Sequence, residues 1–189
     1  MKHIVLIGAP YSGKGTQSNR LSNKFSLKHI SVGDLLRQEI IAETELGGSV
    51  AWYVTHGEIV PNELIIKLVR SKISKAEGEV KFIFDGIPRT LPQTSDFEKI
   101  IKEFKLQEIV YIVLNVSHNT LVSRANMRAK MLDRIDDKDS RTVQNRIKTF
   151  EEITKPVIDF YVKKGIAKII DGEESEDIVF NNICKLVTS

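Results

Sequence analysis

Residues 8–16 read Gly8-Ala9-Pro10-Tyr11-Ser12-Gly13-Lys14-Gly15-Thr16. They stand between a short apolar run, Ile4–Ile7, and a segment of helical pattern, Gln17–Phe25. Few chain paths satisfy a strand that enters a glycine-rich turn and leaves as a helix. The glycines let the backbone curl so that successive N–H groups point at one anion. The helix N-terminus aims its positive end at the same place, and Lys14 adds a full charge. The pattern reads as a phosphate-binding loop, with Tyr11, Ser12, Gly13, Lys14, Gly15 and Thr16 as candidates around a nucleotide's phosphate chain. The bland alternative is a plain strand–turn–helix connection. A chance match to the glycines and lysine is common, but not between a strand and a helix. In the general motif a Ser or Thr directly follows the lysine and ligates magnesium. Here Gly15 holds that position, and the hydroxyl comes one later, at Thr16. Magnesium is therefore expected on phosphate oxygens and water, without a direct protein ligand, and Thr16 is expected on a phosphate.

Four more apolar runs follow: Val80–Phe84, Ile109–Leu114, Ala167–Ile170 and a weaker Lys28–Ile30. They are rich in Ile, Val and Phe and nearly continuous rather than alternating, as strands buried on both faces are. Between them lie helical patterns. Val143, Ile147, Phe150 and Ile153 recur at three-to-four spacing, with Asp139 and Ser140 as N-cap candidates and Pro156 expected to bend or end that helix. Strands alternating with helices predict an α/β fold with a parallel sheet. Two stretches read as insertions, Ser31–Val60 and a short one near Lys130–Arg141.

Composition narrows the function classes. The net charge of +3, with both signs interspersed, does not suggest a nucleic-acid stripe. The first apolar run is too short for a signal segment, and no run approaches the length of a membrane span; a cytoplasmic protein without a membrane partner is expected. A single cysteine, Cys184, excludes an internal disulfide or a thiolate metal cluster and reads as a small buried apolar residue.

The run Val80–Phe84 ends in Asp85-Gly86-Ile87-Pro88-Arg89. Ligands of open α/β sheets sit at the carboxyl ends of the strands. If this strand neighbours the first, Asp85 projects beside the phosphate loop and can orient the waters around magnesium. A turn or N-cap aspartate is the other reading. Arg89, four residues on, has a fork that fits a phosphate dianion. Arg124, Arg128, Arg134 and Arg146 fall in one stretch. Arg124 and Arg128 share a helix face. Arg146 borders the Val143–Ile147 stripe and can aim inward, while Asp136 and Asp137 can hold Arg134. Phosphoryl transfer asks for such an inventory, but a charge run of this kind is more often a solvated helical face, and the residues alone leave that reading ahead.

In this company the sequence resembles the adenylate kinases. Gly8–Gln17 is similar to that family's phosphate loop. His29–Arg37 resembles the start, and Gly57–Pro61 the end, of its monophosphate-binding segment. Phe84–Thr90 with Gln93 resembles its central signature, and Arg134–Asp137, Arg146 and Thr154–Pro156 its lid region. The blocks keep order and spacing across nearly the whole chain. The resemblance implies a phosphate-loop three-layer fold in one domain, 1–189. It has a five-stranded parallel sheet, a helical monophosphate-binding segment at 31–60 and a short lid at 128–141 without the cysteines of zinc-binding lids.

It also implies roles. Lys14, Arg89, Arg128, Arg134, Arg146 and Asp85 serve catalysis. The loop residues serve ATP, with Arg124 stacking on adenine and Arg128 meeting phosphate. AMP is held by Val32, Arg37, the backbone of Glu58, Ile59 and Val60, the Gly86-Ile87-Pro88 turn, Arg89, Arg134 and Arg146, with Gln93 reading its base. The expected reaction moves the terminal phosphoryl of ATP onto AMP, giving two ADP, with magnesium and no zinc, in a monomer. A UMP/CMP kinase and a catalytically weak nucleotide-binding regulator are the alternatives. Four positions depart from the family pattern: Tyr11 and Asp133 stand for glycines, Val32 for a threonine and Ile87 for an aromatic residue.

Overall fold

The computed structural model describes residues 1–131 and 139–188. Its five strands are β1 (His3–Gly8), β2 (Lys28–Ser31), β3 (Phe82–Asp85), β4 (Ile109–Asn115) and β5 (Ala167–Asp171). They form one parallel sheet in the order β2-β3-β1-β4-β5. All five apolar runs become strands, although Val80 and Lys81 lie ahead of β3 rather than in it. β1 and β3 are entirely buried, which explains why those segments read as continuous apolar runs and not as alternating ones.

Helices cover both faces. α1 (Lys14–Phe25) and α9 (Glu176–Thr188) flank one side, where Leu21, Val179 and Ile183 meet Ile4, Leu6 and Ile112. Cys184 is buried there, as expected of a small apolar residue. The other face is packed by α2 (Val32–Ile41), α3 (Glu45–His56), α4 (Asn62–Ser74), α5 (Leu91–Glu103) and α8 (Lys155–Lys163). Its core includes Val5, Phe84, Phe97 and Tyr161. Phe84 and Phe97 are fully buried and meet edge to face at 5.1 Å; each such side chain contributes about 1.5–3 kcal/mol by burial. A third, smaller cluster joins the phosphate loop, through Ala9 and Tyr11, to α6 (His118–Met131) and α7 (Ser140–Thr149).

Asp139 caps α7, accepting the Arg141 N–H at 2.8 Å. The helical path does not stop at Pro156. A π-helical turn, Phe150–Thr154, links α7 to α8, and Pro156 occupies the first turn of α8. The wider turn accommodates a residue that cannot donate a backbone hydrogen bond. It also ends the stripe: Val143 and Ile147 are buried, while Ile153 is exposed.

Register places the chemistry. Asp85 pairs with Leu6 on one side and Ser31 on the other, so the ends of β3, β1 and β2 lie together. Among the described residues no helix is long and apolar enough to cross a membrane.

Candidate functional site

An open cleft of about 730 Å³ lies at the carboxyl ends of the strands, and its floor is the phosphate loop. Gly13 is the N-cap of α1 with φ 94°, a left-handed conformation that suits glycine, and no side chain caps the helix. The first N–H groups of α1 are thus left for an anion. Gly15 and Thr16 are exposed on that first turn. Lys14 Nζ lies against the loop, donating to the carbonyls of Gly8 at 2.9 Å and Ala9 at 2.7 Å. Burial lowers its pKa to about 8. Asp85 opposes the shift, while Arg89, Arg146 and Arg128 add to it. These four side chains therefore converge on Lys14 from three separate stretches of sequence. Asp85, only 9% exposed, has His29 Nε2 at 4.0 Å.

A second pocket of about 50 Å³ adjoins the cleft. It is lined by Val32 and Arg37 of α2, by Glu58, Ile59 and Val60, and by Gly86, Arg89, Gln93 and Arg146. Ile87 and Pro88 line the larger cleft instead. Arg37, Arg89 and Arg146 line both pockets. Local structure fixes each of them. Arg37 is ion-paired with Asp34, one turn earlier on α2, whose N-cap Ser31 accepts the Asp34 N–H at 3.3 Å. Arg89 Nε donates to the Gly86 carbonyl at 3.1 Å, and its backbone N–H donates to Gln93 Oε1 at 2.8 Å. The stem of Arg146 crosses Gly57, where an added Cβ would lie 2.6 Å from Arg146 Cγ. Gly57 has φ 73° and caps α3, so it serves both the turn and the close approach.

Arg124 bridges the phosphate loop and the β5–α9 connection, donating to Ser12 O at 3.4 Å and Gly172 O at 2.8 Å. The Arg128 guanidinium stands over the Tyr11 ring at 4.5 Å. Arg134, Asp133, Asp136 and Asp137, and with them half of the expected lid, lie outside the described residues. Sequence reasoning missed two positions that tie α7 to the end of α3. Thr142 Oγ1 donates to Thr55 O at 2.9 Å, and Asn145 Nδ2 donates to His56 O at 2.8 Å and Glu58 Oε1 at 3.0 Å. Polar residues beside an apolar stripe gave no signal of these bonds. Tyr53, Val54 and Ile65, which wall the small pocket, were missed too; helical spacing marks such residues only as core.

A parallel sheet with its phosphate loop at the centre, a cationic cleft above it and a second pocket sharing three arginines defines a phosphotransferase of the phosphate-loop class. The sequence profile of the family described as adenylate kinase matches residues 6–166. An adenylate kinase of Azobacteroides pseudotrichonymphae is 37% identical over 187 residues, covering 99% of this chain and 97% of the relative. One from Bacteroides fragilis is 36% identical, covering 99% and 98%. One from Methanothrix thermoacetophila is 32% identical, covering 98% of each. The chain belongs to the adenylate kinase family.

Proposed function

We propose that this chain transfers the terminal phosphoryl group of ATP to AMP, giving two ADP, by direct in-line displacement within one ternary complex. The observation that carries this reading is the sharing of Arg37, Arg89 and Arg146 by the phosphate-loop cleft and the smaller pocket. Two nucleotides laid in those pockets bring their phosphates together at these cations. An AMP phosphate oxygen attacks the terminal phosphorus as the bond to the bridging oxygen of the leaving ADP breaks. The acceptor is already an anionic oxygen, so neither a phosphoenzyme nor a strong base is required.

The protein's work is positioning and charge. The loop from Tyr11 to Thr16 cradles the ATP phosphates, through the N–H groups of Gly13, Lys14, Gly15 and Thr16, while the Ser12 N–H closes the turn onto Ala9 O at 3.2 Å. Lys14, Arg128, Arg134 and Arg146 stabilise the charge spread over the transferring group. Arg37 and Arg89 hold the AMP phosphate. Arg124, fixed by its bonds to Ser12 and Gly172, offers its guanidinium plane to the adenine of ATP. The base of AMP lies toward Val32 and Gln93, with Gly86 and the backbone of Glu58, Ile59 and Val60 closing around it, while Ile87 and Pro88 border the phosphate-loop cleft beside it. Magnesium bound with ATP supplies further charge neutralisation. The residues present suit it: Asp85 is a nearly buried carboxylate facing the cleft beside Lys14, placed to order the ion's waters.

Residues 1–189 are read as one kinase domain, with 31–60 as the monophosphate-binding segment and 128–141 as a short lid, acting as a monomer in the cytoplasm. The relatives named above are adenylate kinases, which favours AMP over UMP or CMP and favours an active enzyme over a regulator. A coupled ADP assay that offers AMP, UMP and CMP separately against ATP tests the reading. AMP should give the highest kcat/KM. A profile led by UMP or CMP would overturn the acceptor assignment, and no ADP from any of them would overturn the reaction.

A further inference from the structure

Tyr11 is unlike every other non-glycine residue of positive φ among the described residues. Ser26, Glu43, Lys105 and Glu108 are exposed turn residues, whereas Tyr11, at φ 67°, is 6% exposed. Its ring is seated in a small apolar cluster with Leu121 and Ala125 of α6 and Val143 and Ile147 of α7. Two guanidinium groups face that ring, Arg128 at 4.5 Å and Arg146 at 5.8 Å from its centroid. Like charges brought this close repel each other. The negative face of an aromatic ring attracts both and lowers the cost of gathering them. A left-handed backbone is unfavourable for tyrosine, and here that conformation turns the ring into the space between α6 and α7. The loop that cradles phosphate is thereby joined to the two helices that carry the arginines.

We propose that Tyr11 is a positioning residue, an aromatic platform that holds Arg128 and Arg146 over the phosphate loop before nucleotides arrive. The proposal rests on the reading of the site given above, in which these arginines stabilise the transferring phosphoryl. An arginine already held in place surrenders less freedom when it meets its phosphate.

Tyr11→Phe, Tyr11→Leu and Tyr11→Gly separate the platform from mere filling. Phenylalanine keeps the ring, leucine fills the seat without one, and glycine relieves the backbone. Tyr11→Phe should stay within about twofold of the parent kcat. Tyr11→Leu and Tyr11→Gly should each lose roughly tenfold in kcat, as expected for a partly buried cation–π pair, with smaller changes in KM for either nucleotide. The loss should appear at temperatures where each variant is folded by thermal melt, and it should shrink when Arg128 is already changed to Met. Parent-like kcat in either the Leu or the Gly variant overturns the platform. If Arg128→Met and Arg146→Met are slow while the Tyr11 variants are fast, the platform alone falls. If the arginine variants are themselves fast, the site assignment falls and the platform falls with it.

Discussion

The backbone N–H of Arg89 donates to Oε1 of Gln93 at 2.8 Å. The residue proposed to grip the AMP phosphate and the residue proposed to read its base are thus fixed to each other. Gln93 is itself anchored at the start of α5, where Thr90 Oγ1 accepts its N–H at 3.3 Å. With Oε1 holding Arg89, the amide nitrogen is the part of Gln93 left to meet an adenine edge.

Gln93→Glu separates these two tasks. A carboxylate still accepts the Arg89 N–H, but it has no N–H to donate to a base. We expect KM for AMP to rise about tenfold, because the adenine edge loses its donor and meets another acceptor; a carboxylate at this nearly buried position also lowers the melting temperature, so the kinetics are read well below it. An unaltered KM for AMP would remove Gln93 from base recognition.

Arg89→Ala should damage both AMP affinity and turnover, because the side chain lies between the two pockets. Loss of a charge-assisted phosphate contact is expected to cost about 1.5–3 kcal/mol in binding alone. Steady-state kinetics with AMP varied would show it. Values within about twofold of the parent for both constants would exclude the role.

Lys14→Met should lower transfer by several orders of magnitude while the protein stays folded. Lys14 also predicts a pH dependence. Its pKa is lowered to about 8, chiefly by burial, so the free site loses this cation as pH rises through 8. Bound phosphate favours the charged form, so ATP binding takes up a proton above that pH. Affinity should then weaken by up to about tenfold per pH unit, a slope that Lys14→Met abolishes. Stability carries the opposite sign, because between 8 and 10.5 the unfolded chain holds the extra proton and the fold gains as pH rises. Calorimetry of ATP binding in buffers of different ionisation enthalpy measures the uptake directly.

His3 sets part of the acid stability. It is buried, stacks on Phe82, and its Nδ1 accepts the Phe82 N–H at 3.1 Å. Burial, helped by Lys81, lowers its pKa from 6.5 to about 4. The unfolded chain therefore binds the extra proton between those values, and stability falls as pH drops through them, by up to about 1.4 kcal/mol per unit. His3→Gln keeps an acceptor for Phe82 without a titrating group. Denaturant melts from pH 7 to pH 4 should show a flatter decline for this variant; parallel curves would exclude His3 as a source of the slope.

Much of the fold could be read in advance because both sheet faces are covered. Ile4–Ile7 and Ile109–Leu114 are apolar without a break, and only strands buried on both sides allow that over so short a length. Asp85 was legible as a candidate because strand ends in such sheets face ligands, and its pairing with Leu6 puts it beside the loop. The π-helical turn at 150–154 was not legible, since Pro156 signals a disturbance but not its form. Nor was the seat of Tyr11. Its side chain could be seen to depart from glycine, but the four residues that receive the ring come from two helices far along the chain. Asn145 was invisible for a related reason: its partners are His56 O and Glu58 Oε1, close only once α7 lies on the end of α3.

The two pockets are proposed to form one continuous site, with Arg37, Arg89 and Arg146 at the join. Two adenosines linked by five phosphates span both pockets and test it most directly. Isothermal titration should give one molecule bound per chain, displaced by ATP and by AMP alike, with amide exchange slowed in residues 31–60 and in the proposed lid, 128–141. Adenosine alone should slow neither segment. Two independent molecules per chain, or tight binding that AMP does not displace, would contradict the account.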